Sequence, residues 1–299
     1  DAWSKSADKI VMREIWSSPM VFRRASKFNA LCDDAKAFNA EARRRVNVFT
    51  ESGWVDSGDR IQILGRDEEG KTDNLLQILV EIDQQITMVD GILDGSFSAH
   101  LLGPLPVQDT VEDEELLSKN GSSTILRFSI AADGNPEACK FLTGGDAGVV
   151  IWERLWERHK DAPEPLEYDI LQTPHHCSWR SLSYDSWSDN GEDAEVSDDA
   201  RSALSQTRDG AELIASSKAI SDDDTDPPCV RAEREYKNIA KECGGTFRCT
   251  SGTPTKAKEG VTEFQVTPDG PSYRANDLAA AAVIGSGGVG RQPLQHGDC

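Results

Sequence analysis

The chain has 299 residues, 37% of them apolar and 28% charged, and a net charge of −20. It holds no run of about 18 apolar residues, the length a membrane-spanning helix needs, and its acidic balance repels phosphate backbones, so non-specific nucleic-acid binding is disfavoured. A metal-centred reaction on a phosphoester stays compatible, because a bound metal would be the largest local charge.

From Phe28 the apolar side chains Phe28, Leu31, Ala35, Phe38, Ala42, Val46 and Phe49 recur every three or four residues. That spacing predicts one amphipathic helix over residues 25–49. Arg43, Arg44 and Arg45 fall near its C-terminal end, where cations suit the helix dipole; the expectation is a solvated helix end. β signals follow at residues 60–64 and 123–130. Between them lies an irregular stretch with the acidic run Glu112, Asp113, Glu114 and Glu115, read as a solvated loop or helix start.

Beyond residue 140 strands and helices alternate. Residues 140–143 form a predicted strand that ends in Gly144-Gly145-Asp146-Ala147-Gly148. A helix over 149–160 follows, with Ile151, Trp152, Leu155 and Trp156 on its apolar faces. Residues 168–171 form the next strand, ending in Thr173-Pro174-His175-His176-Cys177-Ser178. Then come an acidic surface loop at 189–199, a short helix at 200–206, a strand at 212–216 and a turn at 222–228. Pro228 is placed to open a helix that runs to about residue 243. Residues 246–250 and 262–266 read as a closing hairpin, and the Gly- and Ala-rich tail beyond Pro271 as poorly ordered. The alternation points to an α/β architecture, and no internal repeat is visible.

The seven cysteines are irregularly spaced and include no CxxC pair, which argues against a Cys-type structural zinc site. A reduced cytosolic compartment is expected. The opening DAWSKSADKI lacks the apolar core of a signal peptide and an initiator Met, so a chain missing some upstream sequence is expected.

Two strand ends carry the chemistry. Asp146 sits in a Gly-rich turn, and His175-His176 follows a Pro some thirty residues later. In a layered α/β fold, loops at the ends of adjacent strands converge on one rim. A carboxylate and an imidazole there can share a metal, since both are usual ligands of a hydrolytic zinc. A Cys177–His176 nucleophile pair is disfavoured, because adjacent residues rarely face each other and no third orienting group is evident. Gly285-Ser286-Gly287-Gly288-Val289-Gly290 matches GxGxxG, but too little chain follows to build the βαβ unit a dinucleotide needs.

The string Phe141-Leu142-Thr143-Gly144-Gly145-Asp146, followed by Tyr168-Asp169-Ile170-Leu171-Gln172-Thr173-Pro174-His175-His176-Cys177-Ser178, resembles the "LLTGD … DVLKVPHHGS" core of metallo-β-lactamase-fold hydrolases. Within that family the resemblance is to the hydrolase domain of competence-type DNA-uptake proteins and its free-standing bacterial relatives. The order continues: Ser122 to Leu126 resembles the upstream "N-x-S-x-V-L" strand, Leu213 to Ser217 the next core strand, Asp226-Pro227-Pro228 the "HP" turn, and Thr246 to Thr250 the "V-x-x-T" strand. The resemblance spans residues 122–266.

It implies a four-layer αββα sandwich with zinc, usually two ions, at one edge. Asp146 would bridge the metals and His175 would be a His ligand. His176, Ser178 and Asp226 would support the site or add a ligand. The metals would generate a hydroxide from bound water. The substrate would be a phosphoester of a nucleotide or nucleic acid, or a related ester, and no catalytic side chain is assigned. Residues 1–120 would be a partial N-terminal half with the long helix and insertions, 121–270 the C-terminal half, and 271–299 a flexible tail. The departures are specific. The family's HxHxDH cluster has no counterpart among His100, His159, His175, His176 and His296, Cys177 stands where HHGS has glycine, and Asp226 stands where the late turn has His. The expectation is therefore a hydrolase that lost its N-terminal half-site, with a non-catalytic interaction module of the same fold as the alternative.

Overall fold

The computed structural model describes residues 11–22, 31–67, 70–106, 121–252, 254–255, 258–259 and 262–274. The acidic run at 112–115 and the GxGxxG string lie outside them. Among the described residues the first strands and α-helix are β1 (Glu14–Ser17), α1 (Asp33–Ser52), β2 (Arg60–Leu64) and β3 (Leu79–Val80). The three strands form one parallel sheet in the order β1-β2-β3. Helix α1 starts and ends later than the apolar spacing predicts: Asp33 and Asp34 occupy its first turn and Gly53 caps it in the left-handed conformation. Its face, Ala42 and Val46 with Phe38 and Phe49, packs on Ile15, Ile61 and Ile63.

The arginines of α1 are a solvated end only at Arg43 and Arg44. Arg45 is only 4% exposed, and its guanidinium donates to the carbonyls of Met12 and Arg60, each at 2.9 Å, and to Glu41 at 2.8 Å. Arg43 and Arg44 are exposed, Arg43 donating to the Val21 carbonyl at 2.6 Å and Arg44 reaching Glu41 and Asp59. These hydrogen bonds, Arg44's first, hold the Glu41 carboxyl down at about 2.

Short strands β4 (Gln85–Ile86), β5 (Met88–Val89) and β6 (Ile92–Leu93) lead to the long strands β7 (Phe97–Gly103), β8 (Ile125–Ala132) and β9 (Asn135–Thr143). Next come α2 (Val149–His159), β10 (Tyr168–Gln172), α3 (Trp187–Asn190), α4 (Asp198–Leu204), β11 (Thr207–Ala215), α5 (Val230–Glu242) and β12 (Thr246–Cys249). The seven-stranded sheet runs β12-β11-β10-β9-β8-β7-β4, antiparallel from β4 to β9 and parallel from β9 to β12. The fold is thus mixed α/β, and this sheet draws strands from both sides of residue 120. Strand β10, inside its parallel part, is buried at Tyr168 to Leu171, as a parallel strand covered on both faces should be.

Alternation along β8 sends Ile125 to one face and Leu126 to the other. On the first face Ile125, Leu142, Leu171 and Leu213 meet Trp152, Leu155, Leu204, Tyr236 and Ile239 of helices α2, α4 and α5. On the other, Leu126, Leu101, Ala99 and Ile86 meet Leu64 and Val80 of the small sheet.

The closing hairpin is elsewhere than expected. β12 pairs parallel to β11, because helix α5 returns the chain to the same sheet edge. Short strands β13 (Pro254–Thr255) and β14 (Lys258–Glu259) pair with each other, and β15 (Glu263–Thr267) turns back onto β16 (Gly270–Arg274). Pro271 to Arg274 are therefore strand and not tail. The stretch 189–199 is also more regular than a loop, holding the end of α3, a 3-10 turn and the start of α4 capped by Ser197. Pro228 stands just outside α5, which Cys229 caps.

Large exposed apolar side chains include Leu31, Leu76, Tyr184, Val11, Met12, Trp54 and the β5–β6 hairpin, where Ile92 is 67% and Leu93 72% exposed. Chain next to Val11–Met12 and to Trp54 reaches the hairpin at Asp90, which accepts from Ser57 Oγ at 2.8 Å and lies 3.8 Å from Arg13. No helix among the described residues is long and apolar enough to cross a membrane.

Candidate functional site

Strands β9, β10 and β11 are parallel and in register, Leu142 beside Leu171 and Leu171 beside Leu213. Their C-terminal ends therefore open on one rim. Thr143 hands over to Gly144-Gly145-Asp146, Gln172 to the Pro174–His176 turn, and Ala215 to Ser216.

The first two loops are clasped. The His175 amide donates to the Gly145 carbonyl at 2.8 Å, and the Asp146 amide donates to Ser123 Oγ at 3.0 Å. A Cβ on Gly144 would fall 2.7 Å from Pro174 Cγ and 2.9 Å from Pro174 Cα, so only glycine lets the two strand ends approach this closely. Asp146 and His175, paired in the sequence reading, are set on neighbouring strand ends, both half-buried.

The His loop is strained. His175, His176 and Cys177 follow one another at φ +46°, +56° and +69°, a left-handed run without glycine. Each such residue costs roughly 1–2 kcal/mol, and persists only where its surroundings over-determine it. Here the Cys177 amide donates to the Pro174 carbonyl at 3.1 Å, and the Cys229 amide donates to the Cys177 carbonyl at 3.0 Å. Ser178 Oγ accepts from the Arg180 amide at 3.2 Å, starting the next 3-10 turn, so this buried serine holds the loop.

His176 Nδ1 lies 2.7 Å from the Ser216 carbonyl. A carbonyl only accepts, so Nδ1 carries a proton. That arrangement is how histidines are oriented as metal donors. No sequence signal marks Ser216 as the partner; parallel pairing of β10 and β11 creates the contact. Asp226 Oδ1 accepts from the Trp179 amide at 3.1 Å, which ties the turn before α5 to the His loop.

Burial pushes the Cys177 thiol well above its usual range, which disfavours a thiolate nucleophile there. Among the described residues no group of three or more His, Cys, Asp or Glu is arranged to hold a metal ion. Comparison with known proteins finds no family model, no curated protein and no solved structure that matches the chain.

At the far end of α2 a second set of titratable groups escaped the sequence reading. His159 Nε2 and His100 Nε2 lie 3.6 and 3.8 Å from the same oxygen of Asp83, whose other oxygen accepts from Arg158 Nε at 2.9 Å. Arg127 stands opposite His100 across the β7–β8 pair. Burial pushes both histidines below the ordinary value of 6.5. The set joins the β3–β4 turn to α2, and its only sequence signals were two isolated histidines.

Proposed function

We propose that the chain is a metal-dependent hydrolase of the metallo-β-lactamase type, or part of one, acting on a phosphoester of a nucleotide or nucleic acid or on a related ester. The observation that carries the reading is the clasp between Gly145 and His175, which sets Asp146 and His175 together on one rim. The four-layer αββα arrangement draws support from three apolar clusters: α1 on the small sheet, the small sheet on the large one, and α2, α4 and α5 on the large sheet's other face. Zinc would draw on Asp146 and His175, with His176 Nε2 as a further donor.

The donor set falls short of a complete centre. A hydrolytic zinc ordinarily takes three protein ligands, and the described residues offer no such group. That shortfall favours a second reading, a non-catalytic module of the same fold.

Elemental analysis of the dialysed protein tests the rim, with Asp146→Ala and His175→Ala alongside. The expected result is weakly held, sub-stoichiometric zinc that both substitutions abolish. Zinc content unchanged in both variants would remove the rim as a metal site. Hydrolysis of bis(p-nitrophenyl) phosphate with added zinc or manganese separates the two readings: turnover lost in Asp146→Ala supports the hydrolase, and zinc bound without turnover supports the module.

A further inference from the structure

Residues of β1 to β5 line a cavity of about 300 Å³, the size at which small-molecule sites begin. Val80, Ile86 and Met88 give it an apolar wall, and Glu14 and Arg60 give it two opposite charges.

Glu14 and Arg60 are register partners on the parallel strands β1 and β2. They therefore stand side by side on one sheet face, their backbones about 5 Å apart. No ion pair joins them, because each is turned towards the β5–β6 hairpin. Glu14 Oε1 accepts from Trp16 Nε1 at 2.7 Å and from Gln62 Nε2 at 2.6 Å, and Oε2 accepts from the Asp90 amide. The Arg60 guanidinium lies against the Gly91 backbone, where an added Cβ would fall 2.7 Å from Cζ. Its Nε stays 3.5 Å from Asp90 Oδ1, and among the described residues the group has no hydrogen-bond partner. Two opposite charges are thus held in place without neutralising each other in contact.

A simple anion entering the cavity would meet Glu14, and a simple cation would meet Arg60. A zwitterion suits both. Its carboxylate matches the guanidinium fork, and its ammonium group finds the acceptor site that Glu14 Oε2 keeps after one donor. An aliphatic body suits the wall of Val80, Ile86 and Met88. We propose that this cavity binds a free α-amino acid with an aliphatic side chain. It shares no residue with the rim, so the proposal stands independently of any metal there.

Calorimetric titration of the intact chain with leucine, at about 0.15 M salt to screen diffuse surface attraction, tests it. The comparison probes are 4-methylpentanoate, which lacks the ammonium group, isopentylamine, which lacks the carboxylate, and glycine, which lacks the aliphatic body. Leucine should bind saturably to one site, and each comparison probe at least about tenfold more weakly. Arg60→Gln removes a side chain that is 32% exposed and holds no hydrogen bond, so the fold should survive while leucine affinity falls about tenfold. Met88→Ala, at an exposed wall position, should lower it about threefold. Absence of saturable leucine binding, a comparison probe that binds as tightly as leucine, or undiminished affinity in either variant would each overturn the site.

Discussion

Replacing Gly144 by alanine tests how the rim is held. The new methyl would sit 2.7 Å from Pro174 Cγ and 2.9 Å from Pro174 Cα, where carbon atoms prefer about 3.5–4.0 Å. Overpacking of this kind costs about 1–3 kcal/mol. One of the two blocking atoms is backbone, in the turn directly after β10, a strand fixed on both sides by β9 and β11, so the upper part of that range applies, about 2.5 kcal/mol. With a urea slope near 3 kcal/mol/M, the midpoint should fall by about 0.8 M at unchanged slope. Gly95→Ala is the control: nothing lies within 4 Å of its would-be Cβ, and the change should stay within about 0.5 kcal/mol. Equal midpoints for the two variants would refute the claim that close approach of Gly144 and Pro174 locks the strand ends.

Two further outcomes are expected. Arg45→Ala strips a buried guanidinium from Glu41 and two carbonyls and should cost about 3 kcal/mol, whereas the exposed Arg44→Ala should cost less than about 1 kcal/mol; similar urea midpoints would contradict the assignment. The second concerns pH. Because burial depresses His100 and His159, the unfolded chain binds their protons more readily, so stability is full above the ordinary histidine value of 6.5 and declines as pH falls below it. Urea midpoints should therefore drop between pH 7.5 and 5.5, and the drop should shrink in the His100→Gln, His159→Gln double variant; a pH-independent midpoint over that window would count against the buried pair.

Periodicity read the second half of the chain well where packing and local pattern agree. Helix α2 runs Val149–His159 because its apolar stripe faces the sheet that both strand neighbours already belong to. Strand β10 was equally plain, with Tyr168, Ile170 and Leu171 in it and Pro174 just beyond. Pattern failed where partner choice decides. Nothing local says that Thr246–Cys249 pairs with β11 instead of with the strand that follows it. The arginines of α1 show the same gap: three adjacent cations look alike in sequence, and only Arg45 is buried, its guanidinium donating to the Met12 and Arg60 carbonyls. At the rim, the sequence named Asp146 and His175 as neighbours. It carried no sign of the Ser216 carbonyl behind His176 or of the left-handed run through Cys177, both of which arise from tertiary contacts.

The apolar segments around Asp90 have a consequence for how the protein behaves as a colloid. At low ionic strength the net charge of −20 keeps copies apart at distances well beyond contact. Added salt shortens that repulsion to about 8 Å at 0.15 M and about 3 Å at 1 M, while the attraction between bare Trp54, Ile92 and Leu93 side chains is undiminished. Dilute buffer is therefore the dispersing condition for this chain and concentrated salt the clustering one, with the β5–β6 hairpin as the point of first adhesion.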